Sequence, residues 1–319
     1  MKTAIISDIH GNAPAFRSVL EDAKSKGITN YIVAGDYCLS GPYPNECIEL
    51  LRNLNNSYII RGNEEQYVEN LIGKDQSTWT DGQMQISYWV YKNLSKDNLD
   101  YLMNLPEILE YSYKGIDIHI AHSILEFTES KMMDKICSTA IEIEFGEQEL
   151  SRSIIDNYVI DSIENTPDFD ADLSAMEDGI YIFGHSHIQW TYKVKDRNIY
   201  FINPGSCGLP LDGMVNTIPY SILEISDEGT VNVEQCRVPF DVDTYVEDVK
   251  KTPQYVEAAV WTKVMLREIK HEKEQILFFL KFVEDYANSI NDSRRPYAID
   301  TWEKSYELWS AQCKYKLNE

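Results

Sequence analysis

An α/β fold with a helical C-terminal extension is what the sequence predicts, and two patterns carry that reading. Through about residue 240, short apolar and β-branched runs alternate with helical or loop stretches. After about residue 245 the strand signals stop and a charged stretch of helical period takes over. The chain is therefore divided into a domain of residues 1–244 and an extension of residues 245–319.

The first part opens as a βαβ unit. Residues 3–7 are a β-branched run, and Asn12 is placed to cap a helix whose first turn holds Pro14, where a missing N–H costs nothing. That helix runs over Phe16, Val19, Leu20 and Ala23 to a stop at Gly27. A strand at 31–34 follows, then a helix from Pro44 carrying Cys47, Ile48, Leu50 and Leu51, then a strand at 57–60. Further strands are expected at 116–120, 180–183 and 199–202, and 221–225 with 230–234 form a closing hairpin across Asp227-Glu228-Gly229. In the extension, one long helix is expected over 255–290. A break at Asn291-Asp292-Ser293 and Pro296 separates it from a second helix over 298–316.

Composition narrows the function. At 319 residues and 43% hydrophobic, the chain can bury a large core. No stretch approaches the roughly 18 apolar residues of a membrane span. The N-terminus reads directly as a strand without a cleavage site, so a cytoplasmic location is expected. The six cysteines include no Cys-x-x-Cys pair and read as reduced thiols rather than a disulfide framework or zinc ribbon. A net charge of −23 disfavours duplex nucleic acid and anionic membrane, whose recognition rests on basic patches. It leaves room for a small phosphorylated substrate, because bound cations invert the local field.

The informative feature is what ends the strands. The first ends in Asp8-Ile9-His10-Gly11-Asn12, the second in Gly35-Asp36 and the third in Gly62-Asn63. Later strands end in Ala121-His122 and in Gly184-His185-Ser186-His187. Ligands of α/β sheets gather at the carboxyl ends of strands. Alone, Asp8-x-His10 or Gly35-Asp36 reads as an ordinary turn. Together, Asp8, His10, Asp36, Asn63, His122, His185 and His187 supply four imidazoles, two carboxylates and an amide. That is too many donors for one tetrahedral zinc and suits a pair of divalent ions. Asp8 and His10, two residues apart, fall on one side of an extended segment and can share an ion. His119 lies within its strand and reads as structural.

On these motifs, with Arg61-Gly62-Asn63, Asn203-Pro204-Gly205-Ser206 and the Gly41-Pro42-Tyr43-Pro44-Asn45-Glu46 segment, the chain resembles the calcineurin-like metallophosphoesterases over about residues 1–240. It is most similar to their bacterial and archaeal branch of small phosphodiesterases and phosphatases. The resemblance implies a four-layer αββα sandwich, with two mixed β-sheets face to face, flanked by helices. It also implies one ion on Asp8, His10, Asp36 and His187 and a second on Asp36, Asn63, His122 and His185. Manganese is the expected metal, with iron, zinc or nickel as alternatives.

The implied reaction is attack of a metal-bridging hydroxide on a phosphodiester, a phosphoanhydride such as a dinucleoside polyphosphate, or a phosphomonoester. Asp36, Asn63, Glu64 and His122 are the residues assigned to the catalytic step. One departure stands out: the family's third motif usually has His where this chain has Glu64. A carboxylic acid there donates a proton only if burial raises its pKa against the pull of nearby cations. Otherwise leaving groups must need little protonation, which favours diesters or anhydrides over alkyl monoesters. Arg61 is placed either to contact phosphate or to be a plain surface cation. In either reading a monomer or homodimer is expected; the competing one is a catalytically weak or inactive binding or scaffold protein on the same fold. The filled ligand positions weigh against it. The aromatic residues of the extension are expected to pack on the core, with a cover over the site edge or a dimer contact as alternatives; the segment from 123 to 179 is a candidate lid.

Overall fold

Two five-stranded sheets carry the first part of the chain. The computed structural model describes residues 1–129, 131–146 and 148–317. The strands are β1 (Lys2–Ile6), β2 (Asn30–Ala34), β3 (Ser57–Ile60), β4 (Ile108–Tyr113), β5 (Ile116–Ala121), β6 (Gly179–Ile182), β7 (Gln189–Lys193), β8 (Ile199–Pro204), β9 (Thr217–Ile225) and β10 (Val231–Pro239). One sheet has the order β10-β9-β1-β2-β3 and the other β4-β5-β6-β8-β7. Each has a parallel centre, β1-β2-β3 or β5-β6-β8, extended by antiparallel strands. Both sheets are therefore mixed.

Strand periodicity assigns the layers. Ile5, Ile32, Ala34, Ile60 and Leu223 of the first sheet meet Ile118, Ile120, Ile180, Ile182 and Ile202 of the second in one buried cluster between the sheets. The alternate residues Ala4, Ile6, Val33 and Ile59 face outward onto helices α1 (Ala13–Ser25), α2 (Pro44–Arg52), α4 (Gln85–Asn93) and α5 (Lys96–Met103), with the short α3 (Asn63–Glu69) following β3. Asn12 does cap α1, its side chain accepting from the Ala15 N–H at 3.1 Å. Tyr181, Phe183, Trp190 and Phe201 face the other way. Their cover includes residues of α7 (Ser138–Phe145), α8 (Arg152–Glu164) and α9 (Phe169–Ala175), joined to β5 through α6 (Met132–Lys135). The four layers are those the resemblance implies.

The extension consists of α10 (Val242–Val249), α11 (Gln254–Glu257), α12 (Ala259–His271), α13 (Ile276–Ser289) and α14 (Ile299–Gln312). It packs back on the sandwich. Tyr245, Val246 and Val249 of α10 and Met265, Leu266 and Ile269 of α12 enter the cluster over the second sheet. Val260 and Val264 turn the other way, onto Phe279, Val283, Trp302 and Trp309 of α13 and α14. The single long helix expected over 255–290 is broken in the middle. Glu272 takes a left-handed conformation (φ 47°), and the Glu268 carboxylate accepts from the Gln275 and Ile276 N–H groups that begin α13. A run of Glu, Lys and Gln carries no breaker signal, because a tertiary hydrogen bond and not local propensity ends the helix. The edge strands β4 and β7, with polar residues at alternate positions, went unread in the sequence. Among the described residues no helix is long and apolar enough to cross a membrane.

Because α12 shares the core of the sandwich, damage there is expected to destabilise the whole chain. Leu266 is 0% exposed. Leu266→Ala is expected to cost about 2–5 kcal/mol in denaturant unfolding, as for other buried leucines. A midpoint equal to that of the unaltered chain would show that the helix only rests on the surface.

Candidate metal centre

The strand ends continue to hydrogen-bond after the strands stop, and this brings the polar residues together. Past β1 and β2, Asp8 N–H donates to the Gly35 carbonyl (3.0 Å), and the N–H groups of Ile9 (2.8 Å) and His10 (3.0 Å) both donate to that of Asp36. Past β5 and β6 of the second sheet, Gly184 N–H donates to the His122 carbonyl, and between the sheets Gly208 N–H donates to that of Asp8. The backbone turns sharply to do this. Asp8, His10, Asp36, His185 and His187 all have positive φ, between 49° and 69°. For residues with a Cβ this region is sparsely populated and costs on the order of 1–2 kcal/mol each. Five such residues on one site mark a backbone held by its surroundings. Asp8 and His10 thus converge through successive left-handed turns, not through the extended geometry their spacing implied.

Two donor groups result. Ligand atoms of Asp8, His10 and His187 lie within 4.8 Å of one another, as do those of Asp36, His122 and His185; Asp36 also groups with His10 and Glu64. His10 Nε2 is 2.9 Å from His187 Nε2, and Asp8 Oδ1 is 3.8 Å and 3.5 Å from those two atoms. His122 Nε2 lies 3.1 Å from Asp36 Oδ2 and 3.9 Å from Asp8 Oδ1. Among the described residues no well-aligned hydrogen bond reaches this buried nitrogen, and Asp36 beside it makes a close charge pair. Asn63 opens α3 and lines the two cavities that flank the centre, of about 550 and 370 Å³.

A surrounding set of acceptors orients the rings. His122 Nδ1–H donates to the Ala34 carbonyl (2.6 Å) and His187 Nδ1–H to that of Leu209 (2.9 Å). His10 Nδ1 is 2.9 Å from Glu64 Oε2. In each case Nε2 is left facing the centre, the arrangement that orients histidine ligands. Opposed imidazole nitrogens, an orphaned His122 Nε2 and two buried carboxylates make a donor set that fits divalent cations.

Electrostatics agrees. Burial pushes Asp8 up, against the pull of His122, to about 6. Burial also works against Asp36, but His122 and then His10 hold it below the usual carboxylate range. Burial alone would depress His10 and His122; Glu64 beside the first and Asp36 beside the second more than offset it, lifting them to about 9 and about 10. Burial and a neighbouring imidazole depress His185 and His187. Without metal, protons on His10 and His122 therefore neutralise the carboxylates.

Among the supporting residues Glu65 carried no sequence signal of its own, whereas Asn203, Ser206, Gly62 and Gly184 belong to the motifs read above. Glu65 is 0% exposed and its carboxylate accepts from the N–H groups of Asp36 (3.1 Å), Tyr37 (2.8 Å) and Gly62 (2.7 Å), locking the second strand end to the third. Asn203 donates to the Gly184 carbonyl (2.7 Å), and Ser206 to that of Asp8 (2.8 Å). A Cβ at Gly62 would lie 2.1 Å from Asp36 Oδ1, and one at Gly184 would lie 1.9 Å from Ser7 Oγ. Arg61 pairs with Glu69 and Glu107 and lines the cavity of about 370 Å³ beside Asn63 and His122. His119, as read from the sequence, stays outside the site, bonded to Glu110 and stacked on Tyr181.

Metal loading is expected to release protons. At neutral pH His10 and His122 hold them, and the ligand form appears only as pH rises toward about 9 and about 10. Apparent affinity for manganese should therefore climb across this range, with on the order of two protons released per chain. Calorimetric titration in buffers of different ionisation enthalpy measures this. Heats independent of the buffer would contradict it.

The comparisons with known proteins follow the same lines. The profile of the calcineurin-like phosphoesterase superfamily domain matches residues 1–228. An uncharacterized protein of Methanocaldococcus jannaschii is 30% identical over 263 residues, covering 78% of this chain and 91% of that protein. The crystal structure of a metallophosphoesterase from Sphaerobacter thermophilus superposes with a TM-score of 0.57 at 21% identity, covering 85% of this chain and 99% of the other. A hypothetical protein from Pyrococcus horikoshii OT3 gives 0.56 at 18% identity, covering 86% and 99%. The sheets, the strand-end donors and the matched residues place one conclusion beyond the fold: this chain belongs to the calcineurin-like phosphoesterase superfamily.

Proposed function

We propose that the protein hydrolyses a phosphoester of a small molecule with two divalent ions, manganese foremost, held on the paired donor groups. The observation that supports this most is the pairing itself: Asp8, His10 and His187 beside Asp36, His122 and His185, with Asp36 within reach of both. Ions bound there would supply Lewis acidity and a water ionised at neutral pH. The chain's own part is to hold and orient. The Ala34 and Leu209 carbonyls and the Glu64 carboxylate aim three imidazoles, and Asn63 offers an amide beside the cavity where a phosphate oxygen would lie.

Glu64 is best read as a positioning residue. Its carboxylate is engaged by His10 Nδ1, and a general acid would have to leave that contact. With no other donor assigned, substrates with good leaving groups, diesters and anhydrides, are favoured over alkyl monoesters. Glu64→Gln is expected to weaken manganese affinity about 10–100-fold, with similar activity losses on aryl and alkyl esters once metal is saturating. A loss confined to alkyl esters would restore the general-acid role.

Manganese-supplemented hydrolysis of aryl phosphodiesters and aryl monoesters tests the reading as a whole. Activity should vanish with chelator and fall at least about a hundredfold in Asp36→Asn, which removes charge at the shared position. Hydrolysis untouched by chelator, or none on any phosphoester despite bound metal, would refute it.

A further inference from the structure

The cavity of about 550 Å³ that opens on the metal centre has a second wall that the reading above leaves without a task. Trp261, Glu268, Glu274 and Leu277 of the extension form it, with Asp134 and Ser138 from α6 and α7. Trp261 and Glu268 stand seven residues apart on α12 and so share a face. The indole N–H donates to Ser40 Oγ at 3.3 Å, which holds the ring.

Glu268 is 1% exposed and its carboxylate is half used. Oε1 accepts from the N–H groups of Gln275 (2.8 Å) and Ile276 (2.7 Å), whereas no donor among the described residues reaches Oε2. Glu274 accepts from Leu277 N–H at 2.8 Å and from the Ser138 hydroxyl at 2.5 Å. The two carboxyls are near enough to share a proton, and burial, then Glu274, push Glu268 well above the usual range. Capping of α13 accounts for Oε1 only. A buried carboxylate pair is costly unless it holds a shared proton or a cation takes that proton's place.

We propose that this wall is a subsite for an organic ammonium group, so that the substrate is a small phosphoester whose alcohol carries a positively charged nitrogen. The inference rests on the phosphoesterase reading and specifies its substrate class. Phosphate would sit at the metal centre and the ammonium against Glu268, Glu274 and the Trp261 ring. Carboxylates supply charge, and an indole face attracts cations. Among the described residues the cavity lining contains no Lys or Arg. A polyphosphate chain would therefore set its anionic charge against Asp134, Glu268 and Glu274, and a neutral alcohol would leave Glu268 Oε2 as it is. The volume is in the range of small-molecule pockets.

Calorimetric binding to the manganese-loaded protein tests this with phosphoethanolamine, whose ammonium carries N–H donors, and its neutral carbon isostere, propyl phosphate. Phosphoethanolamine is expected to bind at least about tenfold tighter, the scale of one buried charge-assisted hydrogen bond. Glu268→Gln keeps an oxygen for the Gln275 and Ile276 N–H groups and should move that ratio toward one. Trp261→Leu, at a side chain only partly buried against the cluster that α12, α13 and α14 share, should lower it as well. Equal affinities in the unaltered protein overturn the proposal, even where aryl phosphoesters are hydrolysed. Absence of metal-dependent hydrolysis counts instead against the phosphoesterase reading, since the binding ratio does not depend on turnover.

Discussion

Two carboxylates, Asp8 and Asp36, lie almost fully buried in one ring of histidines, and that concentration of negative charge needs compensation, by protons on His10 and His122 or by cations in their place. Burial drives Asp8 up to about 6, with repulsion from Asp36 adding to it, whereas His122 and then His10 hold Asp36 below the usual range against burial. Everything around the pair serves to keep it there. Left-handed turns at five donor residues cost free energy, and the strand-end hydrogen bonds, the Glu65 carboxylate and the close passage of Gly62 and Gly184 hold them in place. A fold needing only stability would replace these groups with apolar ones.

Much of this was legible in the sequence because the chemistry is carried by residues at strand ends. Apolar runs ending in Asp, Asn or His announce both the strand and the donor, and the order of the runs gives the edge on which they meet. The supporting residues were less legible. Glu65 reads as one more helical carboxylate, and only the fold shows that it accepts three backbone N–H groups from separate segments. The break in the extension was invisible for a similar reason: Glu268, four residues before Glu272, ends one helix and starts the next through a tertiary contact. Local spacing also misjudged the geometry of Asp8 and His10, since a φ of 54° or 49° leaves no trace in residue type beyond the Asp and the following Gly11.

The extension and the segment after β5 bear on function through position. Both contribute side chains to the wall of the cavity, facing the donors contributed by the sandwich. In the proposed reading the sheets supply the reacting centre, while the added helices shape what can approach it. Fold alone does not determine a substrate, and on that reading the discriminating residues lie in elements outside the strand-end motifs. Glu64 belongs to the same theme on a smaller scale: the motif position is occupied, but its side chain is turned to orienting a ligand.

The claim on which the rest stands is that two cations occupy this centre. Anomalous diffraction at the manganese edge from crystals of the metal-loaded protein addresses it directly. Two peaks about 3.5–4 Å apart are expected, the spacing of two-metal sites, one against Asp8, His10 and His187 and the other against Asp36, His122 and His185. A single peak, or none at these residues, would contradict it.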